Sequence, residues 1–65
     1  MIIKGIVSSI NAVKNTAEIT FPEYDDVTTA ELPFYRRNAS AVEIGDFVLV
    51  ALFNEGQDLC DGVIL

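Results

Sequence analysis

Apolar and polar residues alternate with a period of two along most of the chain, and β-branched residues are frequent. This pattern is typical of β-strands rather than helices. It is clearest in residues 16–22, where Ala17, Ile19 and Phe21 share one predicted face. Pro22 is expected to end that strand, because proline cannot donate to a ladder. The whole pattern predicts five strands, at residues 2–10, 16–22, 27–34, 46–53 and 60–65.

The connections between these strands differ in length. Residues 35–45 form a longer irregular connection, with room for a single helical turn at 39–42. Gly5, inside the first strand, predicts a bend or bulge of the kind that small barrels have at their corners. Short turns are predicted at the other connections: residues 11–15, 23–26 and 54–56.

The strand count and the single long connection predict the fold class. The chain has 65 residues, which allows one domain spanning 1–65. Five strands with a longer third connection fit an all-β, small closed or nearly closed barrel. The five-stranded oligomer-binding (OB) barrel is the best match, and an SH3-like barrel is the alternative.

The fourth predicted strand is apolar on both of its faces. Because aromatic side chains have the volume to fill a small barrel, we expect this set to point inward: Phe47, Leu49, Ala51 and Phe53. The other set is then expected to form an outward patch: Val48, Val50 and Leu52. Either the 35–45 connection covers this patch or another subunit does, so these three residues are candidate interface residues.

Composition and charge narrow the functional class. Hydrophobic residues make up 51% of the chain and mean hydropathy is +0.38, which indicates a folded domain. The net charge is −6, so no binding of nucleic acid is expected. Arg36 and Arg37 follow Phe34 and Tyr35, the one place where basic and aromatic residues adjoin. We interpret both arginines as interface candidates.

The residues that carry chemistry are scarce. Histidine is absent, and Cys60 is the only cysteine, so neither an intramolecular disulfide nor a Cys/His zinc site can form. Cys60 is expected to be a small buried or half-buried side chain. Serine has no histidine to activate it, and the clustered acids are interpreted as solvated turn charges. We therefore predict no catalytic, cofactor-binding or metal-binding residue, and no enzymatic activity.

The chain also lacks the patterns of export and membrane insertion. No apolar run reaches the ~18 residues of a membrane span. Residues 1–13 lack the basic start and the small-residue cleavage site of a secretory signal. We expect a domain that is neither inserted into a membrane nor secreted through a signal peptide.

Several short motifs follow one another in an order that resembles a known family. They are 5–7 (GIV), 21–22 (FP) followed by Asp25 and Asp26, 32–33 (LP), 44–50 (IGDFVLV), 54–56 (NEG) and 62–65 (GVIL). This succession resembles the OB domain of phage baseplate assembly protein V, the tail-spike or hub-spike protein of contractile tails and related injection machines.

The resemblance implies a trimeric structural protein at the tail tip, with the OB domain joined to a β-helical needle. It implies contacts with copies of itself or with other tail and baseplate proteins, and a location in the virion tail after synthesis in the bacterial cytoplasm. The alternative function is an OB-type binding module for an oligosaccharide or single-stranded nucleic acid.

Overall fold

The computed structural model describes residues 1–53 and 60–65. In this part of the chain the regular structure is β-strand with two single 3₁₀ turns, Pro22–Tyr24 and Ala39–Ala41. The second of these turns lies where the sequence predicts a helical turn. The strands are β1 (Ile2–Asn11), β2 (Thr16–Phe21), β3 (Val27–Thr28), β4 (Leu32–Pro33), β5 (Phe47–Leu52) and β6 (Gly62–Ile64).

The all-β prediction is confirmed, but the third predicted strand is divided. Residues 27–34 contain two short strands, β3 and β4, which pair with opposite ends of β2. Thr29, between them, is buried, and its hydroxyl accepts a hydrogen bond from the Ile19 N–H at 3.1 Å. The chain therefore stays attached to β2 while the ladder itself is interrupted. The predicted turn at 54–56 lies outside the described residues.

All strands belong to one sheet, ordered β3-β2-β1-β5-β6, with β4 also paired to β2. The long strand β1 serves two antiparallel ladders. Its first half, Ile2 to Ile6, pairs with β5, and its second half, Ile6 to Asn11, pairs with β2. β1 thereby joins the N-terminal hairpin to the C-terminal strands.

An irregularity in β1 lies later than the sequence predicts. The register with β2 shifts between Val7 and Ser9, so the bulge is at Ser8 and not at Gly5. Gly5 is needed for a different reason. A Cβ atom built on Gly5 would lie 2.8 Å from Cδ1 of Phe21, closer than packed carbon atoms approach.

The core lies on the inner face of the curved sheet. The inward set predicted for β2 is confirmed, since Ala17, Ile19 and Phe21 are buried. Phe34 belongs to the same cluster, and Ile3 and Ile10 of β1 pack against it. The remaining buried hydrophobic residues are Val7, Leu32, Ala39, Val42, Val48, Val50, Leu52 and Ile64.

The predicted orientation of the fourth strand is wrong. Val50 is 0% exposed, whereas Phe47 is 62% exposed. The pairing with β1 explains the reversal, because Val48 lies opposite Gly5 and Val50 lies opposite Ile3, both on the inner face. The ring of Phe21 already fills the space at Gly5, which leaves room for a valine and not for a second ring.

The sheet is not closed into a barrel, which corrects the predicted closed form. The β4 side and β6 meet at one isolated parallel bridge between Phe34 and Ile64. The Tyr35 N–H also donates to the carbonyl of Ile64 at 2.8 Å. These contacts bring the two ends of the sheet together without a continuous ladder.

Candidate protein-contact surface

The outer face of the β1–β5 ladder carries the largest exposed apolar side chains of the sheet. Ile6 lies opposite Phe47, and Lys4 lies opposite Leu49, so these four side chains share the outer face. Ile2, two residues before Lys4, extends the same row. Ile2 is 63% exposed, Phe47 62% and Leu49 49%. We call these residues, Ile2, Lys4, Ile6, Phe47 and Leu49, the outer face.

The outer face contains one charged group, the Lys4 ammonium. Its Nζ lies 4.8 Å from the centre of the Phe47 ring, within the range of a cation–π contact. The Lys4 ammonium therefore lies against the Phe47 ring, and both side chains remain exposed. The outer face is apolar across its width, with a single positive charge near the middle of the β1–β5 ladder.

The three residues that the sequence placed in an outward patch are absent from this surface. Val48, Val50 and Leu52 are each at most 3% exposed, and they pack in the same cluster as Ala39 and Val42 of the 35–45 connection. They are covered by their own chain and cannot present an interface to another protein. Phe47 and Leu49 occupy the surface in their place.

Arg36 and Arg37, the other predicted interface residues, are not part of the outer face, although the Tyr35 N–H beside them donates to Ile64 of β6. They follow β4, on the side of β2 that begins at Thr16. Both are exposed, and neither forms an ion pair with a described residue. The Arg36 guanidinium lies 5.7 Å from the centre of the Tyr35 ring. This basic and aromatic group is a second surface feature, next to the β6 side of the sheet.

The hydroxyl groups of β1 serve structural hydrogen bonds. Ser8 Oγ donates to the carbonyl of Glu18 at 3.0 Å, and Ser9 Oγ donates to Glu18 Oε1 at 2.6 Å. A carboxylate can accept a serine proton, but both groups here join neighbouring strands at the bulge.

Cys60 is exposed, which corrects its predicted burial.

Within the described residues 1–53 and 60–65, no three His, Cys, Asp or Glu side chains come together in a way that could hold a metal ion. Likewise, no helix there is long and apolar enough to cross a membrane.

One sequence signal points to the true outer face. Glycine in a strand marks a close approach by another group, and Gly5 identifies the inner face of β1. The alternate residues Lys4 and Ile6 must then face outward, together with their partners Leu49 and Phe47. This inference needs the register of β1 against β5, which the alternation of the two strands does not provide.

Fold and surface together define the class: a small all-β domain with one bent sheet and an apolar outer face. No family model, curated protein or solved structure matches the chain.

Proposed function

We propose that this chain is a non-enzymatic structural module that acts through protein–protein contacts, with the outer face as its principal contact surface. The observation that carries the proposal is the exposure of Ile2, Phe47 and Leu49 on neighbouring strands of one sheet face. A solvated antiparallel face is normally polar, and an apolar one is typical of a surface that another protein covers.

A second copy of this chain is the partner that we propose. The domain has 65 residues and no means of forming an intramolecular disulfide. Domains of this size commonly gain stability by association. Burying a side chain such as Phe47 or Leu49 between copies would contribute about 1.5–3 kcal/mol. That is a large share of the stability of so small a domain. The family resemblance favours three copies in the assembly.

The fold that we propose is of the OB type, a partly open five-stranded barrel in which β3 and β4 are two halves of one strand. Two observations support it. β1 is bent and serves two ladders, as a strongly curved sheet requires. The parallel bridge between Phe34 and Ile64 lies where such a barrel would close.

The biological setting that we propose is the tail or baseplate of a phage or prophage, where the chain would be a component of the virion. The ordered motifs of the sequence support this setting. Two of their glycines also meet structural demands, since a Cβ atom on Gly5 would overlap Phe21 and one on Gly62 would approach Leu52 Cδ2 to 2.9 Å. The motifs therefore include positions that the fold constrains.

Sedimentation equilibrium tests the contact through the outer face. We compare the wild type with Leu49→Asp at about 1 M salt, where charge contacts are screened and apolar contacts persist. A carboxylate buried in an apolar interface costs several kcal/mol, so we expect the variant to associate at least tenfold more weakly. Ile44→Asp is the matched control, because Ile44 is 68% exposed and lies outside the strands. A monomeric wild type, or equal loss in both variants, would overturn the proposal.

A binding module for an oligosaccharide or single-stranded nucleic acid is the second candidate. The observation that favours it is the exposed Tyr35 ring with the Arg36 guanidinium beside it, since sugars and bases stack on such groups. An association of the wild type that requires the outer face would favour the structural module instead.

A further inference from the structure

Arginine side chains and a cluster of acidic side chains lie at opposite ends of strand β2. Lys14 lies in the turn before β2, and Arg36 and Arg37 follow β4, whose Pro33 pairs with Thr16 at the start of β2. Three of the four Lys and Arg residues are therefore at the same end of the strand. We call Lys14, Tyr35, Arg36 and Arg37 the basic end.

A hydrogen bond holds the two segments of the basic end together. The Ala39 N–H donates to Oδ1 of Asn15 at 2.6 Å, which ties the 35–39 segment to the turn that contains Lys14. Lys14 is partly neutralised by Glu31, at 3.7 Å, whereas Arg36 and Arg37 have no acidic partner among the described residues. The two guanidinium groups are thus available to a carboxylate outside this molecule.

The opposite end of β2 carries a cluster of acidic side chains. Glu23, Asp25 and Asp26 are all exposed and lie in the connection that follows Phe21. β2 extends from Thr16 to Phe21, a rise of roughly 17 Å at about 3.4 Å per residue. The acids and the guanidinium groups consequently cannot meet within one molecule. We call these three residues, with Tyr24 and Val27, the acidic end.

Each end also exposes apolar side chains beside its charges. At the basic end Tyr35 is 65% exposed and Val13, next to Lys14, is 97% exposed. At the acidic end Tyr24 is 50% exposed and Val27 is 40% exposed. Tyrosine and arginine are the residues that contribute most often to binding at protein interfaces. The two ends are therefore complementary in charge and similar in apolar character.

We propose that the basic end of one copy binds the acidic end of another copy. This contact uses residues other than those of the outer face and does not depend on the function proposed above. Because it joins two different surfaces, it is heterologous and allows either a ring or a chain of copies. The net charge of −6 opposes association at long range, but a screening length of about 10 Å at 0.1 M salt is shorter than the 27 Å molecule. Adjacent opposite charges are screened far less.

Mixing two half-interface variants tests this proposal. Arg36→Gln/Arg37→Gln removes both guanidinium groups and leaves the acidic end intact. Glu23→Gln/Asp25→Asn/Asp26→Asn removes the three carboxylates and leaves the basic end intact. All chains carry Leu49→Asp, so that the outer face does not contribute, and circular dichroism verifies that each is folded. At about 0.1 M salt, sedimentation velocity should show each variant alone as a monomer and the mixture as a 1:1 complex that grows no further. Raising the salt to about 1 M should dissociate it.

Glu43→Gln is the matched control, because it removes a charge that belongs to neither end. In the Leu49→Asp background this variant should still associate end to end. The proposal is overturned if the Leu49→Asp chain is monomeric at low salt, if either half-interface variant still self-associates, or if the mixture forms no complex. These outcomes are independent of the high-salt comparison of Leu49→Asp with Ile44→Asp, which tests the outer face.

Discussion

The backbone of Gly5 and the ring of Phe21 approach each other so closely that the ring fits only because Gly5 has no side chain. A Cβ atom on Gly5 would overlap Cγ2 of Ile19 and would lie 2.8 Å from Cδ1 and 2.9 Å from Cε1 of the Phe21 ring. Phe21 is 1% exposed, so its ring is enclosed by the core and cannot move into solvent. This contact sets the inner face of β1 and, through the ladder, that of β5.

Gly5→Ala should destabilise the fold by about 1–3 kcal/mol, because the added methyl group overpacks the core. In an ordinary strand, replacing glycine by alanine stabilises the fold by about 0.5–1 kcal/mol. At Gly5 we expect the same replacement to destabilise it. Urea unfolding measures the difference. Adding Ile19→Leu, which removes the Cγ2 atom nearest to the new methyl group, should reduce the penalty of Gly5→Ala in a double-mutant cycle. A stabilised Gly5→Ala chain would contradict the close approach.

Val50→Asp and Leu49→Asp should have opposite consequences for folding, although the two residues are neighbours. Val50 is 0% exposed and a carboxylate there has no partner, so the cost of several kcal/mol should unfold the domain. Leu49 is 49% exposed, and its substitution should leave the fold intact. Far-UV circular dichroism distinguishes the two. A folded Val50→Asp chain together with an unfolded Leu49→Asp chain would restore the orientation expected from the sequence.

Asn15 should contribute to stability in two separable ways. Its φ of 58° is left-handed, and its Oδ1 accepts the Ala39 N–H at 2.6 Å. Asn15→Gly keeps the backbone conformation and should lose about 1 kcal/mol through the hydrogen bond alone. Asn15→Ala should lose roughly 1–2 kcal/mol more, because alanine is strained at positive φ. Asn15→Asp retains an acceptor and is the control. Equal unfolding free energies for the glycine and alanine variants would contradict this division.

Thr29 should be needed for its hydroxyl group. The hydroxyl accepts the Ile19 N–H at 3.1 Å and donates to the Ala30 carbonyl at 2.7 Å, and the residue is 2% exposed. Thr29→Val keeps the shape but leaves the Ile19 N–H unpaired, which should cost about 1–3 kcal/mol in chemical denaturation. Thr28→Val, on the exposed side of the same segment, is the control. Similar losses at both positions would show that the buried hydrogen bond is not the cause.

Arg36 and Arg37 should not bind nucleic acid. The whole chain carries −6, which repels a polyanion, and a phosphate-binding surface requires several clustered cations. Titration with a fluorescently labelled single-stranded oligonucleotide at low salt checks this. We expect no saturable binding in the micromolar range. Micromolar affinity that falls steeply with added salt would contradict the prediction and favour the alternative binding module.

The sequence determined the orientation of β2 because its two faces differ chemically. Ala17, Ile19 and Phe21 alternate with Glu18 and Thr20, and only the first set can leave water without losing hydrogen bonds. A shift of one residue would bury a carboxylate. Local composition also predicts that the fold is all-β and that β2 ends before Pro22. It likewise shows that basic and aromatic residues adjoin in the 34–37 segment.

The orientation of β5 was decided only by tertiary structure. Residues 47–53 are apolar throughout, so hydrophobic burial has no preferred face and the period-two pattern carries no information about register. The pairing of Val48 with Gly5 determines which face of β5 is buried, because Phe21 already occupies the space at Gly5. Side-chain volume across the sheet, and not hydrophobicity along the strand, therefore determines that Phe47 and Leu49 are on the surface.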